Sequence, residues 1–352
     1  MPTTLCGYEL PEVRKSLRDA IGRRDRRAAH RWAAELVATP GAIGSLWASF
    51  WLACESTPTG NPTLPILLHQ TWESLVSKAH EHNGDWAAFR NDSKVRASVA
   101  EITTRLLEFP RQTTTTWPTK EVVLYDVSTL KDGTPAAAAD SQVVLGVWNR
   151  NHDSMELRQM AGCWIEALQR GDIRIALSAV MWTMLPTTEL KCGARGPKTL
   201  SVKQSASPIW FWLAMGSSLL KSKAGLHRGW MTMHDAIIDA MMLHFKRWSA
   251  TERLRILLFW ILQIRASLLE QPASLWSIQA IQHTSAEIDL PYKEIAAEVV
   301  SSPFVPSPAP APAPAPAPAN PKVKPPVVDA QEEKLRKADE QIMAMLGITD
   351  VS

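Results

Sequence analysis

Over most of the first 112 residues, apolar side chains recur every three or four positions, the pattern of helices that each bury one stripe. "LPEVRKSLRDAIGR" puts Leu10, Val13, Leu17 and Ile21 on one face, with Pro11 in the first turn, where no helical N–H is needed. After a break at Gly22–Arg24, Asp25 stands as N-cap to "RRAAHRWAAELVA", whose Ala28, Ala29, Trp32 and Leu36 share a face. "PGAIGS" stops that helix. "LWASFWLACES" and "TLPILLHQTWESLVSKAH" predict a third and fourth helix around the turn-rich "TPTGNP", and "SKVRASVAEITTRLLEF" a fifth, capped by Ser93. From Arg111 to Gly146 the helical period fails. There "EVVLYDV" and "SQVVLGVW" are candidates for two short strands, a small β-hairpin, amid loop chemistry. The helical period returns at "SMELRQMAGCWIEALQR", turns at Gly171–Asp172 into "IRIALSAVMWTML", and continues over Pro208–Lys221, Trp230–Trp248 and Thr251–Glu270.

The chain therefore reads as mainly α: a helical module over 8–112, an irregular connector over 113–149 and a second helical module over 150–298. From Pro303 the pattern ends. "PSPAPAPAPAPAPANPKVKPP" cannot build a core, and 303–328 reads as an extended spacer rising ~3.1 Å per residue. Beyond it, 329–347 reads as an amphipathic docking helix, capped by Asp329 and stopped by Gly347, with Leu335, Ile342, Met345 and Leu346 as its partner-binding stripe. A helix this short is marginal alone, so its stripe implies a protein partner.

One phrase occurs twice. "AIGRRDRRAAHRWAAEL" and "ALQRGDIRIALSAVMW", at an offset of 147, share Ala20/Ala167, Arg23/Arg170, Asp25/Asp172, Arg27/Arg174 and Ala29/Ala176. Equivalent helical context at both places favours a duplicated helix–turn–helix unit. The first copy is far more basic. Arg14, Lys15, Arg18, Arg23, Arg24, Arg26, Arg27 and Arg31 fall within eighteen residues against only Asp19 and Asp25. Arg23, Arg24, Arg27 and Arg31 could gather at one interhelical corner and hold nucleic-acid phosphates through guanidinium forks and the start of the second helix. The other reading is a solvated face, or Arg–Asp contacts that fix the turn. The second copy keeps only Arg170 and Arg174, which favours a structural role for the shared residues and leaves phosphate contact to the extra arginines.

Composition narrows the picture little further. A net charge of +3 does not by itself announce a nucleic-acid binder. Fifteen Trp against three Tyr favour large buried anchors. Cys6, Cys54, Cys163 and Cys192 are widely spaced, as expected of reduced thiols in an intracellular, soluble protein, and no apolar run approaches a membrane span. "KCGARGPKTL" fails as a phosphate-binding loop, because Pro197 interrupts the Gly–Lys pair and removes an amide donor. It reads as a flexible basic connector. Nine histidines show no ligand spacing, and no nucleophile or paired-carboxylate constellation stands out. The expectation is a non-enzyme without metal or cofactor.

Residues 8–75 resemble the C-terminal helical collar of clamp-loader-type AAA+ proteins related to the bacterial replication-associated recombination ATPase. "VRKSLRDAIGRRDRRAAHRWAAEL" carries the likeness, with "LACESTPTGNPTLPILLHQTWESL", where Cys54–Glu55 and Gly60–Asn61–Pro62 fit that family's signature and Ser56–Thr57–Pro58 departs from it. The likeness covers about a fifth of the chain, with an echo at 156–186, and is similar too to free-standing collar-like proteins of large DNA viruses and phages. It implies an oligomerising scaffold or adaptor in DNA replication, repair or packaging. The ATPase module of that family lies ahead of the collar, where this chain has seven residues, so nucleotide hydrolysis is not implied. The rival expectation is a structural assembly protein, such as a virion component, making protein–protein contacts only.

Overall fold

The computed structural model describes residues 3–57, 62–109, 117–133, 141–185, 190–223, 225–269 and 285–301. Among these the fold is mainly α, and no strand occurs beyond an isolated bridge between Thr3 and Glu9. In chain order the helices are α1 (Leu10–Arg23), α2 (Arg26–Ala38), α3 (Ile43–Cys54), α4 (Thr63–Glu81), α5 (Trp86–Asn91), α6 (Ser93–Glu108), α7 (Lys120–Gly133), α8 (Gln142–Val147), α9 (Met155–Arg170), α10 (Ile173–Thr183), α11 (Val202–Ser205), α12 (Pro208–Ser222), α13 (Arg228–His244), α14 (Ala250–Leu269) and α15 (Ser285–Ser301). The expected Pro/Ala spacer and docking helix, with Leu335, Ile342, Met345 and Leu346, lie outside the described residues. No described helix is long and apolar enough to cross a membrane.

The connector is where expectation and structure part. "EVVLYDV" lies within α7 and "SQVVLGVW" supplies α8, so no β-hairpin forms there. Over Lys120–Val127 of α7 the buried positions are Val123, Asp126 and Val127, a helical spacing, while Leu124 and Tyr125 face solvent. The β-branched run suggested a strand, but burial follows the 3.6-residue period. Asp126 can be buried because Ser178 Oγ donates to it at 2.7 Å and Arg174 pairs with it at 2.9 Å. The six-residue α8 is started by Ser141, whose Oγ accepts from the Val144 N–H at 3.3 Å. Two smaller expectations also change. Ser93 is already helical, and the Lys94 N–H is taken by Asp92 at 2.7 Å. The 191–200 loop is tied down rather than loose: Arg195 donates to the buried Asp153 and to the Val147 carbonyl, and Gly193 N–H donates to Asp153 at 2.8 Å.

The chain forms two compact units. One draws on described residues of Met1–Leu46, Ser74–Glu101 and Gln282–Val351, the other on those of Trp47–Glu73 and Ile102–Ile281. The first is built around the α1–α2 hairpin, α5 and α15. Val13, Leu17, Ala20 and Ile21 of α1 and Ala29, Ala33, Leu36 and Val37 of α2 are buried, as the periodicity requires. At the end of α2 the Ala38 carbonyl accepts from Trp86 Nε1 at 3.3 Å, which meets one of the orphan acceptors of a helix terminus. The second unit is an α-helical core rich in tryptophan, with Trp47, Trp51, Trp164, Trp212, Trp230, Trp248 and Trp260 fully buried. Several are fixed by their indole N–H, such as Trp212 to Thr183 Oγ1 at 2.8 Å.

Candidate nucleic-acid interface at the α1–α2 corner

The corner is set by one left-handed residue. Arg24 has φ 58° and ψ 31°, so the chain reverses and α1 can end while α2 begins two residues later. The Arg24 N–H donates to the Ile21 carbonyl at 3.1 Å and the Asp25 N–H to the Ala20 carbonyl at 2.9 Å, closing the last turn of α1. Asp25 then caps α2, its Oδ1 accepting from the Ala28 N–H at 3.0 Å. The second copy repeats this bond for bond. Gly171 has φ 78°, its N–H donates to Leu168 at 3.2 Å, and the Asp172 N–H donates to Ala167 at 2.8 Å. Asp172 caps α10 by accepting from the Ile175 N–H at 3.2 Å. The shared aspartates are therefore helix caps in both places.

The four arginines singled out by the sequence fall into two pairs. Arg23 and Arg24 are exposed, and no ion pair joins them to a described residue. Arg170, the counterpart of Arg23, instead pairs with Glu166 one turn earlier. Arg27 is largely exposed but reaches Glu294 of α15 at 3.0 Å. Arg31 lies half-buried over the Trp32 ring and is held between Glu35, at 2.9 Å, and Glu298 of α15. Burial alone would lower the Arg31 guanidinium, but hydrogen bonds to Glu35 and Glu298 raise it, so its charge is fixed. The Tyr8 hydroxyl also donates to Glu298, and this bond first, then burial, pushes Tyr8 up to about 12. The same hydroxyl, with Arg31, keeps the Glu298 carboxyl below its usual range. Cys6 sits against this network, its thiol pushed up to about 12 by burial and by Glu35. Asp25 already supplies a carboxylate at the start of α2, so an anion at this corner would rest on side chains and not on an open helix N-terminus.

Beside Arg27 runs a groove of about 370 Å³, walled by Arg26, Arg27 and His30 of α2 and by Glu287, Leu290, Pro291 and Glu294 of α15, with Ala100. The acidic wall escaped the sequence reading, although a signal was present: Glu287, Glu294 and Glu298 are spaced seven and four apart, one face of a helix. In the other unit a cavity of about 440 Å³ is lined by Thr183, Ser207, Thr251, Arg253 and apolar neighbours. Among the described residues no cluster of His, Cys, Asp or Glu could hold a metal ion. No protein-family model, curated protein or solved structure matches the chain.

Proposed function

We propose that the protein is a non-enzymatic, oligomerising scaffold or adaptor in DNA replication, repair or packaging, and that its α1–α2 corner contacts the phosphate backbone through Arg23 and Arg24, with Arg26 and Arg27 beside them. One observation carries this reading. The two copies of the turn need the same left-handed residue, and the second uses glycine, the residue suited to it, whereas the first uses Arg24. A left-handed conformation costs a side-chain-bearing residue roughly 1–2 kcal/mol. Local strain kept where glycine would fit is a mark of a residue used for its side chain. The side chain here is an exposed cation. The collar-like residues 8–75 support the setting in DNA transactions, and the 329–347 stripe would recruit a protein partner. A second reading, assembly through protein contacts alone, is favoured by Arg27 and Arg31, whose charges already meet carboxylates.

Arg24→Gly separates fold from function. The folded state should be as stable as wild type or more so, by up to about 1 kcal/mol, since the strain is relieved but the unfolded chain gains freedom. Binding of a random-sequence duplex, followed by fluorescence anisotropy at low salt, should weaken severalfold. Adding Arg23→Gln should flatten the slope of log affinity against log salt by about 2, two phosphate contacts fewer. Wild type and Arg24→Gly binding alike would sink the phosphate role and leave the protein-contact reading.

A further inference from the structure

We infer that α15 is a displaceable acidic strap that ties up Arg27 and Arg31 of α2 in ion pairs and competes with polyanions for them. The inference rests on the reading of this corner as a phosphate-binding surface. α15 carries Glu287, Asp289, Glu294 and Glu298 against a single Lys293, and its acids are spent on the arginines of its own unit. Glu294 takes Arg27, Glu298 takes Arg31, and Asp289 takes Arg96 at 2.9 Å. These are the geometries by which arginine also grips phosphate, so helix and nucleic acid would bind the same cations and exclude one another.

The seam beneath is shallow. Among the described side chains of α15 only Pro291 and Ile295 are buried, and Ile295 meets alanines, Ala34 and Ala38, with Leu5, Cys6, Tyr292 and Val299 packed partly around it. Pro291 lies inside the helix and removes one of its own backbone bonds. Docking therefore leans on charge pairs near the surface, the kind of interaction that salt and a competing polyanion weaken. Leaving would release the already exposed Arg27 from its carboxylate and free the outer side of Arg31, which keeps Glu35.

Cys6 offers a readout that does not depend on DNA. Its thiol lies under α15, 4.0 Å from the Ile295 carbonyl and 3.7 Å from Arg31 Nη2. In the full chain carrying Cys192→Ser, with Cys54 and Cys163 buried, alkylation of Cys6 by iodoacetamide reports strap opening. Glu294→Gln with Glu298→Gln keeps shape and hydrogen bonding while removing the charge. It should alkylate faster and bind duplex DNA at least tenfold more tightly at low salt. Arg27→Gln breaks the same pair from the other side and should alkylate faster without tighter binding, because the cation is lost. Added duplex should speed alkylation of the wild-type strap. Equal DNA affinity in wild type and the double variant would overturn the strap and leave the phosphate reading standing, as would alkylation unchanged by either substitution. No binding by either protein, at any salt, would overturn both.

Discussion

Asp25 and Asp172 show how much one residue can specify. Each follows a left-handed turn, each donates its N–H five residues back to the preceding helix, and each accepts from the N–H three residues on. The carboxylate meets one of the orphan donors at a helix start and sits where the helix dipole favours negative charge. Asp25→Ala and Asp172→Ala should each lower stability by about 0.5–2 kcal/mol, measured by urea denaturation. Similar losses at the two sites are expected from matching geometry. A loss at only one would mean that the surroundings, and not the cap, set the energy. These caps could be read from sequence because an N-cap depends on neighbours within three residues. The fate of Arg31 could not, since it depends on Glu298, 267 positions away. Arg24 lies between these cases: the break was legible, but its backbone sign became visible only in the fold.

Helix pairing shows a second limit, one of approach distance. On α12, Gly216 allows α14 to come so close that a methyl group there would strike the Trp260 ring and stand 2.6 Å from Ile264 Cδ1. Both neighbours are fully buried and have no room to withdraw. Alanine is the better helix former by about 1 kcal/mol, while overpacking a tight core costs about 1–3 kcal/mol. The second effect should win. Gly216→Ala is expected to lower the thermal midpoint of the protein, and a rise would show that the contact has slack. Helices such as α1, α2, α9 and α10 were legible because each has a single apolar stripe and local start and stop signals. In α7 the run Val122, Val123 and Leu124 hid the period, and the burial of Val123, Asp126 and Val127 shows which face turns inward. α5 and α8 are six residues each, too short for a period to declare itself. α15 carries Pro291 in its interior, which reads as a helix end although the helix runs through it.

At the scale of the molecule, the units are not consecutive stretches of sequence. The unit that starts near the N-terminus is completed by α15, whose Ile295 closes the seam of Ala34 and Ala38. Sequence modules drawn at 8–112 and 150–298 place α15 with the second copy, because periodicity tells which face is buried but not against what. Truncation measures the difference. A chain ended after Ser301 loses the Pro/Ala run, whose composition cannot build a core, and the 329–347 stripe, read as a partner-binding face. Its thermal midpoint should match the full chain, and capture of a protein partner through the stripe should be lost. A chain ended after Ile281 also loses α15. Burying a side chain such as Ile295 is worth about 1.5–3 kcal/mol, and each near-surface ion pair adds about 0–1 kcal/mol. The first unit should therefore weaken by a few kcal/mol, enough to lower its midpoint by several degrees, while the tryptophan-rich unit keeps its transition. That magnitude suits a strap: large enough to hold α15 down at rest, small enough for several phosphate contacts to outweigh. Loss of all cooperative folding in the shorter chain would instead make α15 part of the permanent core.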